Sequence, residues 1–242
     1  MILNELFVQK IKIDWEHISK ESYLRDIDSL FQLDELKFEK NVTFFVGENG
    51  SGKSTLLEAI AVACGFNAEG GTRNYHFFTY ETHSKLCQAM TIVKGWRKMS
   101  WGYFLRAESF YNVATKEMEY ADSLHPSKKY HEKSHGESFL ALVQNNFQPN
   151  GLYLLDEPEA ALSPQRQLTL LVEMNKLSKL GAQFIVVTHS PILLGLPDAQ
   201  IYSFDHIVHK IGYEETDSYQ ITEMFINNRN QLPEKLFDEN EM

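Results

Sequence analysis

The segment 47–55 constrains the fold of this chain more than any other part of the sequence. It reads Gly-Glu-Asn-Gly-Ser-Gly-Lys-Ser-Thr and matches the pattern G-x-x-x-x-G-K-[ST] in full. A β-branched and aromatic run, Val42–Val46, precedes it, and apolar residues at helical spacing follow over 54–63. The glycines let backbone N–H groups turn inward around an anion, and the helix amino terminus adds the positive end of its dipole. The sequence therefore predicts a strand, a phosphate-binding loop and a helix in direct succession.

This loop carries candidate ligands for a nucleotide and a metal ion. Lys53 is expected to reach the β- and γ-phosphates, and the hydroxyl of Ser54 is expected to ligate Mg2+. The predicted nucleotide-contacting residues are Asn49, Gly50, Ser51, Gly52, Lys53, Ser54 and Thr55. ATP and Mg2+ are accordingly the expected cofactors. The alternative is a glycine-rich turn that matches the pattern by chance, and the flanking strand and helix argue against it.

Strands and helices alternate along much of the chain. Buried apolar strands are predicted at 151–155 and Gln183–Val187, and helices at 138–146 and 163–180. This alternation predicts an α/β fold with a mostly parallel central sheet and helices on both faces. In such sheets ligands bind beyond the carboxyl ends of the strands. The apolar residues expected on the inner face of the helix at 163–180 are Leu168, Leu171, Val172, Met174 and Leu177.

The pattern is weaker elsewhere. Further strands are predicted at 6–13, 101–105 and 201–207, and a short helix or turn at 22–31. A loop with a small β excursion is expected over 67–100, a polar surface lobe over 112–134, and a polar tail from Asn227.

Two more loops that follow predicted strands carry candidate catalytic side chains. Asp156 closes the apolar run at 152–155, where its carboxylate could hold magnesium. Glu157 points to the opposite side of the extended backbone and could act as the general base for an attacking water. His189 follows the strand Gln183–Val187 and could contact the γ-phosphate or that water. The alternatives are an acidic pair that begins a loop and a hydrogen-bonded histidine in a helix-opening turn.

The formal net charge of -10 argues against binding nucleic acid over the whole surface. One short segment is basic and aromatic, with Lys94, Arg97 and Lys98 beside Trp96 and Trp101. It indicates either a local nucleic-acid patch or a solvated amphipathic face.

Neither a membrane segment nor a secretory leader is visible in the sequence. No run approaches the roughly 18 apolar residues of a membrane helix, and the amino terminus lacks a basic stretch followed by an apolar one. A cytoplasmic location is therefore expected. Cys64 and Cys87 have no metal-binding or redox spacing and are interpreted as buried or bystander thiols.

Together these motifs resemble the ATP-binding-cassette (ABC) ATPase superfamily over nearly the whole chain. The Walker A motif lies at 47–55 and the Walker B motif at 152–157. Residues 133–137, Lys-Ser-His-Gly-Glu, are similar to a degenerate ABC signature, residues 159–163 resemble the D-loop, and His189 resembles the switch histidine.

The resemblance implies a P-loop NTPase fold of ABC type with an antiparallel β subdomain and a small helical lobe. It implies one domain over 1–242, with the lobe inserted at about 110–150. It also implies a head-to-tail homodimer that holds two ATP molecules. Ser134 and Gly136 of one copy would then touch the γ-phosphate bound to the other copy, and Glu157 would activate the hydrolytic water.

Details within the superfamily resemble the stand-alone, AAA-type ATPases related to SMC and RecF proteins of repair and defence more than transporter subunits. These details are Asp-Glu-Pro-Glu at 156–159, Thr-His-Ser-Pro at 188–191 and the stretch 104–110. The interval between Thr55 and Lys133 is too short for the long coiled-coil arms of SMC proteins.

Two family features have no clear counterpart. The family places a glutamine after the strand that follows Walker A, whereas this chain offers Glu108, with Arg106 and Ser109 beside it. Glu108 either serves as a magnesium-side ligand or pairs with a basic neighbour. The aromatic residue that would stack on adenine stays open among Tyr23, Phe31 and Phe38.

Three functions remain after these comparisons of motifs. The first is a stand-alone ATPase that acts near DNA or controls a protein partner, the second the nucleotide-binding subunit of a transporter, and the third a low-turnover regulatory switch. The acidic charge makes a protein partner at least as well supported as DNA, and a membrane partner is not expected.

Overall fold

The structure is a computed structural model that describes residues 5–72, 85–106 and 135–231. A seven-stranded sheet has the order β10-β9-β3-β8-β7-β6-β4. Its five inner strands are parallel, and the edge strands β10 and β4 are antiparallel to their neighbours. The strands are β3 (Val42–Val46), β4 (Gly71–Thr72), β6 (Trp101–Arg106), β7 (Gly151–Asp156), β8 (Gln183–Val187), β9 (Gln200–Ser203) and β10 (His209–Ile211).

The register of the parallel strands brings the predicted loops to one edge. Phe45 lies opposite Val187, Val187 lies opposite Asp156, and Asp156 lies opposite Arg106. On the other side of β3, Val46 lies opposite Ser203. The loops that follow β3, β7, β8 and β9 therefore leave the sheet side by side.

A smaller antiparallel sheet has the order β2-β1-β5, as the resemblance implied. Its strands are β1 (Val8–Ile13), β2 (Glu35–Lys37) and β5 (Met90–Lys94). The side chain of Gln183 joins the two sheets, because it accepts from the Val8 N–H at 2.9 Å and donates to the Val8 carbonyl at 2.8 Å.

Helices cover both faces of the large sheet, which confirms the α/β prediction. They are α1 (Asp28–Phe31), α2 (Lys53–Ala63), α3 (His135–Asn146), α4 (Pro164–Lys179), α5 (Pro191–Leu194) and α6 (Asp217–Asn227). Leu56 and Ile60 of α2 belong to one buried cluster together with the small sheet. Phe139 of α3 and Met174 of α4 belong to a second cluster on the opposite face.

The inner face of α4 was predicted only in part. Leu170, Met174 and Leu177 are buried, whereas Leu168 and Val172 are 52% and 60% exposed. Positions 170, 174 and 177 share one side of a helix with 3.6 residues per turn, and positions 168 and 172 lie about half a turn away from it. The prediction for Leu168 and Val172 is therefore wrong.

Several other elements differ from the expectations. The strand expected at 201–207 is the shorter β9, and β2, β10 and α6 were not predicted. The segment expected as a loop with a β excursion contributes β4, a 3-10 helix at Lys85–Ala89 and β5. The expected surface lobe at 112–134 and residues 73–84 lie outside the described residues.

Candidate functional site

The loop after β3 encloses the side chain of Lys53, which is buried. Its Nζ donates to the carbonyl oxygens of Gly47 at 2.7 Å and Glu48 at 2.6 Å, and it lies 3.3 Å from Oγ of Ser51. Burial lowers the pKa of Lys53, although the carboxylates of Asp205 and others nearby act in the opposite direction. The loop thus holds a buried ammonium group whose hydrogen bonds go to neutral oxygens.

Two of the loop glycines are required by close contacts as well as by their backbone angles. Gly47 has φ 133°, and a Cβ there would lie 2.9 Å from Oδ1 of Asp205. Gly52 has φ 83°, and a Cβ there would lie 2.6 Å from Cγ of Leu30. Gly50 also has positive φ, at 82°. The loop conformation is therefore available to glycine and strained for other residues.

Asp205 supports the loop from the end of β9. Its Oδ1 accepts the Glu48 N–H at 2.8 Å, and its Oδ2 accepts the Ser203 hydroxyl at 2.9 Å. The role of Asp205 was not predicted, because nothing in its local sequence connects it to a loop 157 residues earlier. The pairing of β9 with β3, in which Ser203 lies opposite Val46, brings Asp205 to this loop.

The predicted metal ligands Ser54 and Asp156 meet at the carboxyl edge of the sheet. The Ser54 hydroxyl donates to Oδ1 of Asp156 at 2.8 Å. Oδ2 of Asp156 lies 3.5 Å from Nε of Arg106, whose Nη1 donates to Oε2 of Glu58 at 2.8 Å. Hydroxyl and carboxylate oxygens are the ligands that Mg2+ prefers, so these two residues fit such an ion. The third predicted ligand, Glu108, lies outside the described residues.

The two predicted catalytic side chains also lie close together. Glu157 takes a left-handed conformation with φ 48° and ψ 52°, and its N–H donates to the Val187 carbonyl at 3.0 Å. Its Oε1 lies 4.0 Å from Nε2 of His189. The side chains of Glu157 and His189 are 47% and 40% exposed. Both are therefore free to contact a ligand.

Glu159 holds the backbone of the histidine loop. Its Oε1 accepts the His189 N–H at 2.5 Å, and its Oε2 atom is shielded from solvent. Burial raises the pKa of this carboxyl, against the effect of hydrogen bonds with the His189 amide and the Thr188 side chain. The sequence placed Glu159 in the D-loop but did not predict this contact.

A cleft of about 530 Å³ opens beside the loop after β3, and Glu157 and His189 line it. Its walls come from the loop after β3, the loops after β7 and β8, the end of β9, β10 and α6. The lining residues include Asn49, Glu157, His189, Asp205, His209 and Ile221. A volume of this size suits a small-molecule ligand. Thr55 lies in the first turn of α2 beside Lys53 and Ser54.

The signature-like segment is residues 133–137, and the structure describes its part from 135 to 137. This part lies next to the 3-10 helix Pro158–Ala161 that follows Glu157. A Cβ on Gly136 would lie 2.9 Å from the Ala161 carbonyl oxygen, and Glu137 accepts from Arg166 at 3.0 Å. Gly136 is not among the residues that line the cleft. Ser134 lies outside the described residues.

Of the three aromatic candidates for stacking on adenine, Phe38 is wrong because it is 1% exposed within the core. Phe31 packs edge-on against Trp15 at 5.3 Å, with the Arg25 guanidinium 5.3 Å from its ring. Tyr23 is exposed. Phe31 and Tyr23 remain as candidates.

The basic and aromatic segment at 94–101 makes some of its contacts within the fold. Arg97 pairs with Glu5 at 3.7 Å, hydrogen-bonds to Asn150 and lies over the Phe7 ring. Trp96 is exposed and lines a separate pocket with Leu152, near the amino end of β7. This pocket therefore lies toward the opposite edge of the sheet from Asp156 and Glu157.

Within the described ranges, no group of three or more His, Cys, Asp or Glu side chains is arranged to hold a metal ion. The helices described in the structure include none that is long and apolar enough to span a membrane.

Two family models match the chain. The model described as "AAA domain" matches residues 23–134, and the model described as "AAA domain, putative AbiEii toxin, Type IV TA system" matches residues 129–195. Their combined range contains the loop at 47–55, Asp156, Glu157 and His189. Together the two models of AAA-type domains match residues 23–195. The protein is an ATP-hydrolysing enzyme.

The ATPase is also similar to solved structures. The SMC head domain from Thermotoga maritima is 15% identical, with 86% of this chain and 100% of that chain covered and a TM-score of 0.48. CbiO1 from Clostridium perfringens, part of the ABC transporter complex CbiONQ, is 16% identical, with 95% and 97% covered and a TM-score of 0.49. A comparison with curated proteins finds no match.

Proposed function

We propose that this ATPase hydrolyses ATP with magnesium in a head-to-tail dimer and couples hydrolysis to a protein partner in a defence or repair process. The observation that carries the proposal is the convergence at one edge of the sheet of Lys53, the Ser54–Asp156 pair and the Glu157–His189 pair. A phosphate cradle, a magnesium-binding pair and a carboxylate exposed to a cleft are the parts that hydrolysis of a nucleoside triphosphate needs.

The loop at 47–55 and the Ser54–Asp156 pair would bind ATP and magnesium before hydrolysis. Lys53 would give up its carbonyl contacts to pair with the β- and γ-phosphates, while the backbone N–H groups of 49–55 surround them. Ser54 and Asp156 would hold Mg2+, which neutralises phosphate charge when bound. Glu108 would be an additional ligand on the magnesium side.

Hydrolysis would use the exposed side chains of Glu157 and His189. Glu157 would accept a proton from a water molecule as that water attacks the γ-phosphorus, and the bond to the bridging oxygen of ADP breaks. His189 would contact the γ-phosphate or the water from the neighbouring loop. Their separation of 4.0 Å allows both side chains to face one reacting group.

A second copy of the chain would complete the site. The cleft is open, and α6 beside it exposes a row of large apolar side chains: Ile221, Met224, Phe225 and Ile226. A cluster of this kind on a surface favours burial against a second molecule. In the head-to-tail arrangement, Ser134 and Gly136 of one copy would cover the γ-phosphate bound to the other copy. Within each copy, the lobe at about 110–150 would be part of a single ATPase domain over 1–242.

The dimer is tested with Glu157→Gln, which keeps the shape of the side chain but removes the base. We expect this variant to bind ATP as tightly as wild type, to lose turnover, and to run as a dimer in size-exclusion chromatography with light scattering in ATP and magnesium. Glu173→Gln, on the side of α4 and paired with Lys176, is the control. A Glu157→Gln protein that stays monomeric at every ATP concentration contradicts the head-to-tail model.

The process served by hydrolysis is proposed from charge and from the second family model. That model's description names a type IV toxin–antitoxin system, which favours a defence role with a protein partner. The net charge of -10 disfavours direct binding to DNA. Turnover measured with and without duplex and single-stranded DNA tests this choice, and strong stimulation by DNA would favour a DNA-linked role instead.

A further inference from the structure

Glu159 is half-buried between two loops of the site, and its Oε2 atom is shielded from solvent. It lies in the 3-10 helix Pro158–Ala161, two residues after the proposed base. Its Oε1 accepts the backbone N–H of His189 at 2.5 Å. A single carboxylate thus fixes the position of the histidine loop relative to the turn that carries Glu157.

A second contact joins the same two segments. Gln167 of α4 donates to the carbonyl of Leu162 at 3.1 Å and accepts the Ser190 hydroxyl at 2.6 Å. Ser190 in turn accepts the N–H groups that begin α5. The turn at 158–162 and the loop at 188–190 are therefore joined at His189 directly and at Ser190 through Gln167.

Glu159 acts in this contact as a hydrogen-bond acceptor. Its carboxyl accepts the His189 N–H and is also hydrogen-bonded to the Thr188 side chain of the same loop. An apolar residue of similar volume at this position could not accept the His189 N–H.

The turn that carries Glu159 also contacts the signature-like segment of the same chain. Gly136 approaches the carbonyl of Ala161, and Glu137 pairs with Arg166 at the start of α4. A continuous path of contacts therefore runs from Gly136 through the 3-10 helix to Glu159 and then to His189.

We propose that Glu159 is a positioning residue: the turn at 158–162, braced by Gly136 and by α4, holds the His189 loop in place through this carboxyl. This inference rests on the proposed roles of Glu157 and His189 in hydrolysis.

The test compares two substitutions in the full chain. Glu159→Gln keeps an oxygen that can accept the His189 N–H, whereas Glu159→Met fills a similar volume without an acceptor. We expect kcat of Glu159→Met to fall by about ten- to a hundredfold, because a small misplacement of a catalytic group has effects of that size. Its KM and its affinity for ATP should stay close to wild type, and Glu159→Gln should keep most of its kcat.

Three results would overturn the inference. One is wild-type kcat in Glu159→Met, another is an equal loss in Glu159→Gln and Glu159→Met, and the third is a parallel loss of ATP affinity and kcat. Thermal unfolding of each variant checks that it is folded, and Glu159→Ala replaces Glu159→Met if the latter does not fold. Glu157→Gln and His189→Ala are measured beside them. If these two keep turnover, the proposed function fails; if only they lose it, the Glu159 inference alone fails.

Discussion

The Ser54 hydroxyl donates a 2.8 Å hydrogen bond to Oδ1 of Asp156, although the two residues are 102 positions apart in the chain. Ser54 begins α2 immediately after the phosphate loop, and Asp156 ends β7. β8 lies between β3 and β7, so the contact crosses a strand of the sheet edge. Because both groups are oxygen ligands, the contact marks the place where the proposed magnesium ion would bind.

Replacing Ser54 by Ala should weaken ATP binding only when magnesium is present. We expect the affinity for ATP in magnesium to fall by about tenfold, which corresponds to roughly 1.4 kcal/mol, and the affinity in EDTA to stay unchanged. Isothermal titration with ATP under both conditions measures the difference. Ser178→Ala, which removes a hydroxyl bonded to Asn175 within α4, is the control. Equal affinities of Ser54→Ala and wild type in magnesium would remove Ser54 from the metal site.

Replacing Lys53 by Met should abolish nucleotide binding. The ammonium group is buried in the loop and held by two carbonyl oxygens, so its loss removes the charge that pairs with the phosphates. We expect Kd for ATP to rise by at least about a hundredfold. Lys179→Met, in the last turn of α4, should bind as wild type does. Tight ATP binding by Lys53→Met would contradict the assignment of the loop.

Arg106 should couple energetically to Glu58, with which it forms a 2.8 Å ion pair beside Asp156. We expect Arg106→Met and Glu58→Gln each to destabilise the protein without nucleotide. The double variant should lose less than the sum of the two, with a coupling of about 0.5–3 kcal/mol. Urea unfolding of the four proteins measures this quantity. Strict additivity would show that the pair contributes nothing to stability.

The pH dependence of stability should reveal the buried carboxyl of Glu159. Burial raises its pKa in the folded protein, so between the ordinary glutamate pKa of about 4.3 and the raised value the folded state binds more protons than the unfolded state. The contribution of this group to stability therefore falls as pH rises through that interval. We expect Tm of Glu159→Gln to increase relative to that of wild type as pH is raised above the ordinary glutamate pKa. If the difference in Tm between Glu159→Gln and wild type does not change with pH, the pKa of Glu159 is not raised in the folded protein.

Local sequence patterns were sufficient for the phosphate loop and for most inner strands of the large sheet. Val42–Val46 and Gln183–Val187 match their predicted bounds, because continuous apolar runs of this length mark strands buried on both faces. Helix α4 was predicted in extent but not in orientation. Leu168 and Val172 are exposed because the facing surface, and not the apolar character of a residue, decides which side of a helix is buried.

Sequence alone therefore determined that this chain builds a nucleotide-binding loop within an α/β sheet, since glycine spacing and apolar periodicity act over a few residues. Tertiary structure decided which distant groups meet. Asp205 caps the Glu48 N–H from 157 residues away, and Glu159 holds His189 across 30 residues. Strand order and register set both contacts, and they depend on how the whole sheet packs rather than on any local pattern.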